Sequence, residues 1–143
     1  GHKNAAGLSL KKENLTEFKN NINKIVNFND KPLHNSIATI GELDVKSVDL
    51  DFISIIEEFE PYGLENTKPI FKIIDAIILK EEFIGKDKNH LKLTLKIDGF
   101  LFEALKFHNN FKINQDKIDL IVSVNKNEFR GVCKPQFLIQ DFL

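Results

Sequence analysis

The chain has 143 residues, 42% of them hydrophobic and 29% charged, a composition of globular proteins and not of disordered or fibrous ones. Its 20 Lys and Arg against 21 Asp and Glu leave a net charge of −1, far from the strongly basic balance of a dedicated nucleic-acid domain. One cysteine, no signal-peptide pattern and no apolar run of bilayer-spanning length argue against a disulfide scaffold, a secreted protein and a membrane protein, and point to the cytoplasm.

Charge is uneven along the chain. Residues 1–67 carry 7 Lys against 11 Asp and Glu, whereas residues 68–143 carry 13 Lys and Arg against 10 acidic residues. The second half is therefore the one that tolerates an anionic partner. The chain lacks methionine and opens on Gly1, so a processed or truncated chain is expected.

In chain order, Ala6 to Leu10 reads as a short strand. Leu15, Phe18, Ile22 and Ile25 then recur at helical spacing, predicting an amphipathic helix over residues 11–27 that ends in the turn formers Asn27 to Pro32. A short strand is expected near Glu42 to Val45. A second helix begins after Asp49, a suitable N-cap, and stops at Pro61-Tyr62-Gly63. Gly, Asn, Thr and Pro cluster between Gly63 and Pro69, and a boundary between two units is placed there.

Beyond it the period changes to two. His90-Leu91-Lys92-Leu93-Thr94-Leu95-Lys96-Ile97 alternates strictly, and Ile118, Leu120, Val122 and Val124 repeat the pattern. Further strands are expected over Ile70–Leu79, Phe100–Phe107 and Phe137–Phe142, with turns at 85–89, at Asp98-Gly99 and over Asn125 to Gly131. Five strands in so short a span predict a small antiparallel barrel, whose closure removes exposed edges.

Catalytic patterns are absent: there is no phosphate-binding glycine loop and no metal-ligand spacing among His2, His34, His90 and His108. Cys133 reads as a small apolar side chain, and Glu57, Glu58 and Glu60 as a solvated helix face. With the leucines inward, His90, Lys92, Thr94 and Lys96 line the outer wall about 7 Å apart. That spacing roughly matches successive phosphates of a single strand, and Phe100 and Phe102 on the next strand offer stacking surface. This expectation fails if Lys92 and Lys96 are buried or held by neighbouring carboxylates.

Gly1-His2-Lys3-Asn4-Ala5-Ala6-Gly7 resembles the G-G-H-x-x-A-A-G motif of the DHH-associated domain, short of its first glycine. Pro61-Tyr62-Gly63-Leu64-Glu65-Asn66 with Pro69-Ile70-Phe71, then Gly85-Lys86-Asp87-Lys88-Asn89-His90-Leu91-Lys92-Leu93, resemble elements of RecJ-type single-stranded-DNA-specific exonucleases. Asn127 to Gly131 and Gln136 to Asp141 are similar to that family's closing motifs. The resemblance implies an α+β chain: short strands and two helices of a partial DHH-associated domain and its connection, followed by a five-stranded antiparallel OB-fold barrel. On this reading residues 1–46 are the C-terminal part of the DHH-associated domain, 47–66 the connecting helix and linker, and 67–143 the OB-fold.

It further implies the C-terminal part of a 5′-to-3′ exonuclease of recombination and repair, dependent on Mn²⁺ or Mg²⁺ held elsewhere in the parent. On this reading the fragment binds no metal and does not cleave DNA. His2 would contact substrate phosphate, with Gly1 and Lys3 beside it. Single-stranded DNA is the expected partner, other repair proteins are possible partners, and a monomer is expected. A barrel that docks repair proteins without touching DNA is the competing expectation.

Overall fold

The computed structural model describes residues 7–28 and 36–143. Two compact units divide between Ser36 and Ile37. This lies upstream of the boundary expected from composition, because Val45, Val48, Ile53 and Ile56 join the same hydrophobic core as the barrel strands.

In the first unit, residues 7–10 form no strand, since extended backbone becomes a strand only where a neighbour pairs with it. A 3-10 turn over Lys12–Asn14 leads into helix α1 (Leu15–Phe28), so the regular helix begins later than its periodicity suggests.

The second unit opens with β1 (Gly41–Glu42), which pairs parallel to Phe71 and Lys72. Helix α2 (Leu50–Glu57) follows, capped as expected: the Asp49 carboxylate accepts the Phe52 backbone N–H at 2.8 Å. Five strands then wind a closed barrel: β2 (Phe71–Ile84), β3 (His90–Ile97), β4 (Phe100–Lys106), β5 (Lys117–Phe129) and β6 (Val132–Phe142). Closure depends on β2, whose first half pairs with β5 and whose second half pairs with β3. A bulge between Ile73 and Ala76 interrupts the pairing with β5, which resumes at Ala76 and Ile77, just where the pairing with β3 begins. In the bulge Asp75 takes a positive φ of 53°, and its N–H donates to the Asp119 carboxylate at 2.9 Å.

One seam departs from the antiparallel expectation. β4 and β6 run parallel over Glu103–Leu105 and Gln136–Leu138. An odd number of strands closed in a ring cannot alternate direction all the way round, so one pair must be parallel. The architecture is an α+β, OB-like mixed barrel.

Leu91, Leu93 and Leu95 are 0% exposed, as the strict alternation demands. With Ile73, Leu120, Val122 and Phe137 they fill the barrel, each large side chain contributing about 2 kcal/mol by burial. Ile53 and Ile56 join this core from α2, which packs against β5 and β6. Among the described residues no helix is long and apolar enough to cross a membrane.

Candidate nucleic-acid interface

The outer wall of β3 carries His90, Lys92, Thr94 and Lys96, as the alternation requires, but these side chains do not act alike. Lys92 Nζ lies 2.7 Å from Glu103 Oε1, with the two side chains 28% and 44% exposed. Glu103 Oε2 also accepts from Gln136 Nε2 at 3.4 Å. The half-buried His90 ring uses Nδ1 to accept the His108 backbone N–H at 3.2 Å and packs edge-on against Phe107. Lys96 is exposed and makes no ion pair among the described residues. The expected row of free ammonium groups is therefore interrupted at Lys92, where a cross-strand carboxylate holds the charge.

The two phenylalanines also separate. Phe100, at the start of β4, is 47% exposed. Phe102 faces inward opposite Leu95, is buried, and offers no stacking surface on the outer wall. Both residues share one strand face, but Phe100 lies at the open end of the barrel while Phe102 lies over its core. Cys133 is half-buried, and Glu57, Glu58 and Glu60 are exposed. Gly1, His2, Lys3 and His34 lie outside the described residues.

The wall becomes a groove through a hairpin that composition alone presents as a turn. Asn125 to Phe129 pair with Val132 to Gln136 as regular strand, closed by Arg130 and Gly131 alone. Both turn residues have positive φ, 53° and 78°, the backbone twist of a tight two-residue hairpin. Asp98 and Gly99, at 49° and 89°, make the same turn between β3 and β4. That turn sets Ile97 opposite Phe100, so Thr94 must face Glu103. The register, and with it the nearness of Lys92 to Glu103, is thus a consequence of the Asp-Gly pair.

Between the β3–β4 wall and the hairpin lies a groove of about 1080 Å³. Thr94, Glu103 and Gln136, side by side across three strands, form its base. Phe129, Arg130 and Lys134 line it from the hairpin, Phe129 being 67% exposed with the Arg130 guanidinium 5.2 Å from its ring centroid. Three cations, Lys92, Arg130 and Lys134, line the groove against one carboxylate, Glu103. In barrels of this topology the face of the second and third strands, flanked by the loops after the first and fourth, is the oligonucleotide-binding face. Here those strands are β3 and β4, and those loops are Gly85–Asn89 and Arg130-Gly131. Among the described residues no group of three or more His, Cys, Asp or Glu side chains is assembled that could hold a metal ion.

A family model described as the RecJ OB domain matches residues 41–141. The single-stranded-DNA-specific exonuclease RecJ of Haemophilus influenzae is 32% identical over 147 residues, covering 97% of this chain and 25% of that protein. The Bacillus subtilis enzyme of the same name is 25% identical over 151 residues, covering 99% of this chain and 19% of its own length. The crystal structure of RecJ in complex with Mn²⁺ from Thermus thermophilus superposes with a TM-score of 0.71 at 18% identity, over 100% of this chain and 21% of that one. The chain thus spans about a quarter or less of the relatives it matches.

Proposed function

The chain belongs to the RecJ OB domain family, and on that premise we propose that its barrel holds single-stranded DNA in the groove between the β3–β4 wall and the β5–β6 hairpin. The observation that carries this reading is the meeting of an exposed aromatic, Phe129, with exposed cations Arg130 and Lys134 on the binding face of the barrel. Stacking on an aromatic ring combined with backbone charge is the chemistry that grips an unpaired strand. Lys96 adds a further cation at the far end of β3, and Phe100 an exposed ring at the start of β4.

The relatives' names support a wider role in which this region serves a single-stranded-DNA-specific exonuclease; its place in recombination and repair is carried by the motif resemblance. Relatives solved with Mn²⁺ and with Mg²⁺ support hydrolysis run by divalent metal in the parent. His2, flanked by Gly1 and Lys3, would touch the substrate phosphate there. The 143-residue chain would bind the strand without cutting it, and would do so as a monomer.

A second reading, docking of another repair protein, draws on the apolar side chains Leu101 and Val132, 65% and 55% exposed along the same groove. Anisotropy of a labelled oligonucleotide, titrated at about 50 and about 200 mM salt, separates the two. Strand binding predicts affinity that falls with salt, and an Arg130→Ser, Lys134→Ser chain whose log–log salt slope is shallower by about 1.4, about 0.7 per lost phosphate contact. Binding indifferent to salt and to both substitutions, with circular dichroism unchanged, overturns strand binding in favour of protein docking.

A further inference from the structure

A carboxylate at the base of a groove proposed to hold a polyanion needs a reason. Glu103 is central to that base, beside Thr94 on β3 and Gln136 on β6. We infer that this base reads nucleobase edges and leaves the phosphates to the hairpin and to Lys96, with Glu103 as the hydrogen-bond acceptor and Lys92 and Gln136 as positioning residues. The inference rests on the strand-binding reading above and assigns the direction in which the strand faces.

Three observations support it. Lys92 Nζ, 2.7 Å from Glu103 Oε1, has its charge neutralised within the protein, so a phosphate would have to displace a carboxylate to reach it. Glu103 is held at both oxygens, by Lys92 and by Gln136 Nε2 at 3.4 Å, yet remains 44% exposed. It is an oriented acceptor with lone pairs still facing the groove, so little ordering remains for a ligand to impose. Exposed cations without an ion pair among the described residues, Arg130 and Lys134 on the hairpin and Lys96 at the end of β3, flank that centre.

The chemistry then selects among bases. Cytosine N4, adenine N6 and the guanine N1 and N2 edge present N–H donors to a carboxylate, and Glu accepting from cytosine N4 is an established pairing. Thymine offers a single N3–H between two carbonyl oxygens, which a carboxylate repels. A charge-assisted hydrogen bond of this kind corresponds to about tenfold in affinity.

The test is anisotropy of the 143-residue chain with equal-length oligo-dC and oligo-dT at fixed salt and neutral pH. The native chain should favour oligo-dC about tenfold, and Glu103→Gln, which keeps the shape and removes the charge, should bring that ratio close to one. Lys92→Gln should flatten the ratio as well, by releasing the carboxylate, while leaving the salt slope unchanged. Because an ion pair that remains partly open to solvent adds little to folding, both variants should stay folded, with circular dichroism as the check. A dC/dT ratio indifferent to Glu103→Gln overturns base reading while leaving strand binding intact. A salt slope shallower by about 0.7 in Lys92→Gln makes Lys92 a phosphate contact and also overturns it. Absence of binding to either oligonucleotide removes the strand-binding premise itself.

Discussion

The Phe102 and Phe137 rings stack inside the barrel with centroids 4.7 Å apart and 29° between their planes. The pair joins β4 to β6 across the only parallel seam of the ring, where just three residue pairs are in register. Phe102→Ala should therefore cost about 3–5 kcal/mol, by lost burial and a cavity that the seam cannot close. Phe100→Ala, two residues earlier but half-exposed, should stay within about 1 kcal/mol. Urea unfolding of both variants checks the contrast, and equal costs would mean that the inner face of β4 has been assigned wrongly.

How much of this the sequence reveals varies with what each residue faces. His90 to Ile97 alternates strictly because Leu91, Leu93 and Leu95 line a sealed core while the residues between them meet solvent, so both faces can be read directly. Asn125 to Phe129 hide their strand character for the converse reason. Beyond Val124 no residue of β5 is buried, so no apolar partner marks every second position, and the polar residues mimic a turn. The groove side chains Phe129, Arg130 and Lys134 are hidden from periodicity together with that hairpin. The signal that finds them is the Arg-Gly pair itself, flanked by Phe129 and Val132 at the spacing of a two-residue turn. The Lys92–Glu103 pair is likewise implied by Asp98-Gly99, but only when the hairpin register is counted back from the turn.

Tyr62 is the only tyrosine of the chain, and its phenol donates to the Ile56 carbonyl at the end of α2. Burial raises its pKa above the ordinary 10.0, and the Glu60 and Glu57 carboxylates push the same way. The native state therefore keeps the proton after the unfolded chain has lost it. Stability is complete below the unfolded value of about 10 and declines as pH rises from there through the native value. Tyr62→Phe should cost about 1 kcal/mol at neutral pH through the lost hydrogen bond, and should lose stability less steeply above pH about 10. Lysines titrate in the same range, so the quantity to measure is the difference in urea midpoint between the two proteins across pH. A difference independent of pH would show that Tyr62 ionises equally in both states.

Asp49 holds the first turn of α2, and that helix places Ile53 and Ile56 in the barrel core. Loss of the cap should therefore lower global stability and not merely fray a peripheral helix. Asp49→Ala is expected to cost about 1 kcal/mol, while Asp49→Asn, which keeps an acceptor oxygen, should retain most of it. Thermal melts followed in the β-sheet signal check the point: an unchanged sheet transition alongside a weakened helix signal would detach α2 from the barrel's cooperative unit.

Phe129 separates stacking from charge in the proposed groove. It stands at the hairpin turn, 67% exposed, so its removal leaves the core untouched and should change stability by no more than about 0.5 kcal/mol. Stacking of a base on its ring corresponds to about 1–3 kcal/mol, so Phe129→Ala should weaken oligonucleotide binding by about fivefold or more, and Phe129→Tyr should retain it. Stacking displaces no condensed counterions, so the salt slope should match that of the native chain, in contrast to the loss of Arg130 and Lys134. Arg130 complicates the comparison, because its guanidinium lies over the same ring and is released when the ring is removed. A Phe129→Leu chain keeps apolar bulk beneath Arg130 without a π face. If its affinity falls with that of Phe129→Ala, the ring acts on the base; if it binds like the native chain, Phe129 serves only to hold Arg130 in place.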